Sequence, residues 1–174
     1  MSPYSARMRR YGVTAALVAL LAGCSGNEHA GSLPTVSPAP TTSSPTPSPT
    51  DEVAAAARAY YAALEKAGQT GDTTALAALL AQSCDCRKQV DYIRREAAAG
   101  HHTTTTYTVE AVRPHDVTAS AAAATVTYSS PESKVLDASG RTVRTLSALS
   151  HVGYDLALRR DGGSWLVERI VRLT

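Results

Sequence analysis

The stretch Leu149–Leu173, LSHVGYDLALRRDGGSWLVERIVRL, decides the fold of this chain. Val152, Tyr154, Leu156 and Leu158 alternate with His151, Gly153, Asp155, Ala157 and Arg159, the period of two that marks a strand with one buried face. Asp161-Gly162-Gly163 supplies a tight turn, and Trp165–Leu173 returns as the last strand. The predicted element is a long antiparallel hairpin, Leu149–Arg159 followed by Trp165–Leu173, with the Val/Tyr/Leu side inward. His151 and Asp155 fall on the more polar side, where a solvated pair is expected.

Moving upstream, the same period persists back to Gly100. Thr104–Val112 is rich in Thr, Tyr and Val, and Val117–Ser129 alternates through Ala122, Ala124, Val126 and Tyr128. Lys134–Leu136 and Thr142–Leu146 flank Asp137-Ala138-Ser139-Gly140, a hairpin signal. Before Gly100 the period is 3.6. Thr50 or Asp51 caps a predicted helix through Glu65, followed by Gly68, with the stripe Val53, Ala56, Ala57, Tyr60, Leu64 and Ala67. Asp72 is the expected N-cap of a second helix carrying Leu76, Leu79 and Leu80. A third runs from Arg87 to Ala99, with Val90, Ile93 and Ala97 on one face. Three helices and then five or six antiparallel strands predict an α+β domain over residues 52–174, with the helices on one face of the sheet.

The N-terminal part has another character. Residues 24–51 are mostly Ser, Thr, Pro, Ala and Gly with almost no large apolar side chain, and Pro34, Pro38, Pro40, Pro45, Pro47 and Pro49 are six of the chain's nine prolines. Such a segment buries too little surface to offset its ordering entropy and is expected to be a disordered, extended tether. Ahead of it, Arg7, Arg9 and Arg10 precede an apolar run from Val13 to Ala22, too short to span a bilayer as a helix. The run ends at Leu21-Ala22-Gly23-Cys24, which matches a lipobox: small residues at Ala22 and Gly23 fit a signal peptidase, and the Cys24 thiol forms the thioether to diacylglycerol. Residues 1–23 are then a lipoprotein signal peptide. Two acyl chains on Cys24 suffice as the membrane anchor, at the outer face of the cytoplasmic membrane.

The charge follows from that cleavage. Of 17 basic and 15 acidic residues, three Arg leave with residues 1–23, so the exported chain holds 14 against 15, about −1. No basic surface for nucleic acid is implied. The Cys24 lipid leaves Cys84 and Cys86 as an even pair in an oxidising compartment, where a disulfide is expected. One intervening residue allows closure in a turn but not in a helix, and so small a loop stabilises by only about 1.5 kcal/mol in the chain-entropy model. A local clamp between the second and third helices is the first reading; a redox pair is the alternative. His101-His102 can be imagined as joining the cysteines around zinc, but the spacing matches no zinc motif and oxidation would remove the thiolates. No metal and no cofactor are expected.

Gln69-Thr70-Gly71-Asp72 at the second helix and Asp161-Gly162-Gly163-Ser164-Trp165-Leu166-Val167 at the last strand resemble the NTF2-like (cystatin-like) superfamily. That resemblance implies a curved sheet wrapped as a cone around the helices. With the lipobox, stalk and paired cysteines, the chain resembles an actinobacterial lipoprotein family of unknown function. In enzymes of the superfamily an Asp, His or Tyr inside the cone is the general acid or base, and here His151 and Asp155 fall on the wrong face. Tyr60, Tyr107, Tyr128, Tyr154 and Trp165 are the candidates to line a pocket. The expected function is a membrane-anchored envelope lipoprotein with a non-catalytic domain that engages an envelope protein. The alternatives are a carrier of a small apolar ligand and, last, a dehydratase- or isomerase-type enzyme. A filled cone favours the first and an open, tyrosine-lined one the second.

Overall fold

The computed structural model describes residues 47–174. The predicted signal peptide, the predicted lipobox residues Leu21, Ala22, Gly23 and Cys24, and the predicted tether as far as residue 46 lie outside the described residues.

Helix α1 spans Pro49–Thr70 and starts three residues before the predicted domain boundary. Its cap is Ser48 rather than Thr50 or Asp51. The Ser48 hydroxyl accepts from the Asp51 N–H at 3.2 Å, and the Asp51 carboxylate accepts from the Ser48 N–H at 3.3 Å. This reciprocal box, with Pro49 pre-set at N1, satisfies the orphan donors of the first turn. The helix passes through Gly68 and ends at Gly71, whose φ of 76° disfavours any residue with a β-carbon. Gly68 serves packing instead of termination: a β-carbon there would stand 2.9 Å from the Thr103 hydroxyl.

The second helix is shorter than predicted, and α2 covers only Thr74–Ala78. Asp72 accepts from the Thr74 N–H at 2.9 Å, but Leu79 and Leu80 leave the helix. Leu80 forms a parallel bridge to Val167, with the Ala81 N–H on the Val167 carbonyl and the Val167 N–H on the Leu79 carbonyl, both at 2.9 Å. The chain thereby covers a sheet edge that would otherwise expose unpaired backbone groups. Helix α3, Arg87–Ala98, buries Val90 and Ile93 as expected.

The strands are β1 (His102–Thr103), β2 (Thr108–His115), β3 (Ala121–Ser130), β4 (Ser133–Leu136), β5 (Thr142–Leu146), β6 (Leu149–Asp161) and β7 (Ser164–Arg172). They form two sheets among the described residues where the sequence predicts one: β2-β3-β6-β7 and the small β1-β4-β5, each antiparallel. The division falls where β3 ends at Ser130 and Pro131, which has no N–H to donate, separates it from β4. A register shift between Tyr128 and Ser130, opposite His151 at φ 50°, bends the sheet at the same point.

The larger sheet packs its inner face on α1. Val53, Ala57, Leu76, Val126, Leu156, Leu158 and Val167 are essentially inaccessible to solvent, and full burial of each Leu or Val contributes about 1.5–3 kcal/mol. Trp165 belongs to this core, with 6% exposed; its indole N–H points at the Glu52 carboxylate, 3.4 Å away, and the Arg160 guanidinium lies 5.5 Å above its ring. No helix among the described residues is long and apolar enough to cross a membrane.

Candidate functional site

Alternation along β3 and β6 turns Tyr128 and Tyr154 to the inner face, and the register sets Val126 opposite Tyr154, so the two tyrosines are diagonal neighbours. Their rings stack with centroids 5.8 Å apart. Tyr107, just before β2, meets Tyr128 edge-on at 5.4 Å. From α1, Tyr61 reaches into the middle of this group, 4.9 Å from Tyr128 and 5.9 Å from Tyr107, and Tyr60 stands beside it at 5.2 Å. Edge-to-face and offset pairs of this kind each contribute about 0.5–1.5 kcal/mol beyond their area.

The five rings touch one another in series, and Tyr60, Tyr61 and Tyr128 are buried, with 3%, 4% and 6% of their surface exposed. They form the floor of a half-open cavity of about 490 Å³, which Gln89 and Cys86 of the α3 region and Asp85, Arg169 and Val171 also border. The volume lies within the range of small-molecule sites. Tyr60 donates to the Gln89 side-chain oxygen at 2.8 Å, joining α1 to α3 across the cavity. Burial pushes the phenols of Tyr60, Tyr61, Tyr107 and Tyr128 above the ordinary tyrosine value, and repulsion among the tyrosines adds to the shift. The four are therefore neutral hydroxyls at any physiological pH. A second, smaller space of about 200 Å³ adjoins it, and Leu64, Gln89 and Tyr107 border both.

Of the predicted pocket residues, Tyr60, Tyr107, Tyr128 and Tyr154 line the cavity; Trp165 does not, because its place in β7 points it at the first turn of α1. Tyr61 is the member that sequence reasoning missed. An apolar helical stripe is at least 100° wide, so the adjacent Tyr60 and Tyr61 both fit within it.

Cys84 and Cys86 stand at disulfide distance in the turn before α3, with Cα atoms 5.1 Å apart. Cys84 is buried and Cys86 faces the cavity. His101 turns instead to Glu96, 3.3 Å away, at the other end of α3. Among the described residues no group of three or more His, Cys, Asp or Glu side chains is placed to hold a metal ion.

His151 and Asp155 lie on the outer face, each in a pair that spans β3. The His151 Nδ1 is 2.6 Å from Glu110 and the His115 Nε2 is 3.0 Å from Asp155. Hydrogen bonds from Ser129 and His151 hold the Glu110 carboxyl below its usual range, and those to Asp116 and Asp155 raise the His115 imidazole above its own.

The fold and site define an α+β domain with antiparallel sheets around a ligand-sized, tyrosine-lined cavity. The chain belongs to the family of unknown function DUF6318, whose profile matches residues 35–170. Solved structures similar to it include the intermembrane-space region of the chloroplast protein ARC6 (13% identity, TM-score 0.53, 75% of this chain and 99% of that one). Another is a candidate aromatic ring hydroxylase from Novosphingobium aromaticivorans (11%, TM-score 0.51, 70% and 85%). A candidate dehydratase of the NTF2-like family from Streptomyces avermitilis is also similar (17%, TM-score 0.47, 70% and 93%). No curated protein matches the chain.

Proposed function

We propose that this chain is an envelope lipoprotein whose NTF2-like domain binds a small, largely apolar molecule in the tyrosine-lined cavity. The observation that carries this reading is the half-open cavity of about 490 Å³ floored by five tyrosines. It favours the carrier over the interaction module, since the latter calls for a filled interior. The neutral phenols present apolar faces to a ligand body and hydroxyls to its polar atoms. The lining also bears on the enzyme reading: its one carboxylate, Asp85, is almost fully solvated and paired with Lys88 at 3.0 Å. A general base needs a more sheltered place, and Glu65, the half-buried carboxylate of the adjoining space, already accepts from the Tyr107 N–H at 2.8 Å.

The anchor rests on Leu21-Ala22-Gly23-Cys24. Metabolic labelling with an alkyne fatty acid should tag the wild-type chain and not Cys24→Ala, and the variant should leave the membrane fraction. A tagged Cys24→Ala chain would refute the anchor. For the cavity, a screen of small neutral aromatic compounds by ligand-observed NMR should find binders whose signals are lost in Tyr61→Trp, which fills the space. Binders unaffected by that substitution would refute the site.

A further inference from the structure

The second chamber differs from the first in chemistry, and its charged groups indicate what the ligand carries. Glu65 of α1 lines it beside Gly68, Thr105 and Leu146. One Glu65 oxygen accepts from the Tyr107 N–H at 2.8 Å, and Glu65 joins no ion pair among the described residues. The other charge bordering the chamber, Arg144, is already engaged: its guanidinium donates to the Tyr92 hydroxyl at 2.5 Å and lies 3.9 Å from Glu96. A half-buried carboxylate with a spare oxygen thus faces a space that shares Leu64, Gln89 and Tyr107 with the tyrosine-lined cavity. The faces of those rings also attract cations.

We infer that the ligand is an amine, with its apolar body among Tyr61, Tyr107, Tyr128 and Tyr154 and its ammonium group at Glu65. This rests on the cavity reading above and deepens it. From Tyr60 to Gly68 the α1 wall is about 12 Å long at the rise of an α-helix, so the ligand is elongated, with its charge at one end. Such a ligand would lie past Leu64, Gln89 and Tyr107, the three residues that border both spaces.

Three probes of one shape test it: 4-phenylbutylamine, 4-phenylbutanol and 4-phenylbutyrate, titrated calorimetrically into the exported chain, residues 24–174 with Cys24→Ala. The amine is expected to bind at least tenfold tighter than the alcohol, and the carboxylate more weakly than either. In Glu65→Gln, where the amide oxygen still accepts from Tyr107, the amine should fall to the level of the alcohol and the alcohol should be unchanged. Asp85→Asn should keep the preference. The wild-type ratio needs no variant. Alcohol binding without a preference for the amine, or a preference that follows Asp85, overturns the amine and leaves the cavity standing. Binding of none of the three overturns both.

Discussion

Replacing Gly71 by alanine tests the packing that places α3 over the cavity. Two penalties are expected. The residue ends α1 at φ 76°, where a β-carbon costs about 1–2 kcal/mol. That β-carbon would also stand 2.7 Å from the β-carbon of Ala97 in α3, well inside the ~3.5–4.0 Å optimum for carbon pairs. Relief requires α3 to move, and overpacking of this kind costs about 1–3 kcal/mol. The sum is about 2–5 kcal/mol. Gly140 separates the two terms: its φ is 80°, yet a β-carbon there would meet nothing within 4 Å, so Gly140→Ala should cost only the first ~1–2 kcal/mol. Urea unfolding followed by Trp165 fluorescence gives both values. With a slope of about 1–3 kcal/mol per molar urea, the difference amounts to a readable shift of midpoint. Ala97→Gly removes the opposing atom, so Gly71→Ala should cost about 1–3 kcal/mol less in that background. Equal costs for Gly71→Ala and Gly140→Ala, or strict additivity with Ala97→Gly, would refute the contact.

Tyr60→Phe should lose about 1 kcal/mol with the bond to Gln89, measured by the same unfolding assay, whereas Tyr61→Phe, whose hydroxyl has no protein partner among the described residues, should change stability by less. Absorbance at 295 nm should show Tyr60, Tyr61, Tyr107 and Tyr128 failing to ionise in the folded protein near pH 10. Because their folded values are raised, the stability they contribute is present below pH 10 and lost above it, so ionisation and unfolding should coincide in alkali. The His115 imidazole is also raised, by Asp116 and Asp155, so its contribution is present below the ordinary histidine value of 6.5 and declines as pH rises through the folded value. The His115→Gln variant should therefore lose most at pH 5–6, and a deficit growing towards pH 8 would contradict the pairing.

The helices and strands are legible wherever periodicity and a local stop agree. Thr142–Leu146 is a strand over the predicted residues, and α3 departs by one residue at its end. Gly68 misleads because glycine has two uses: as a helix stop it needs only local sequence, but here it admits Thr103, which is distant in the chain. Leu79 and Leu80 keep the helical period yet turn to Val167, a pairing visible only once the sheet exists. The same reason hides the outer face. Alternation alone turns His151 outward, but its partner Glu110 depends on the register of two strands and a bulge. Four of the five cavity tyrosines are legible as apolar bodies with polar tips; that they surround open space depends on packing, which periodicity does not encode.

The composition and the cavity explain one another. The chain has no Phe, and its described tyrosines other than Tyr92 all line this one space. Five phenyl rings around a void would have only dry walls, and a dry void forfeits dispersion contacts on every side. Phenol hydroxyls would let the space hold water when empty and would meet the proposed ligand when full. The space is also held open from outside. Helix α3 is fastened at its start by the Cys84–Cys86 turn and an Arg87 hydrogen bond to the Leu80 carbonyl at 3.1 Å, and at its end by Ala97 against Gly71. Between these ends Gln89 reaches across to Tyr60. A wall fixed at both ends would not need to be ordered by the proposed ligand, so binding would avoid the entropy of closing a flexible site. The cysteine pair then has a use that its small effect on global stability does not convey. Reduction should leave the unfolding midpoint nearly in place, yet weaken ligand affinity by loosening the wall that carries Gln89.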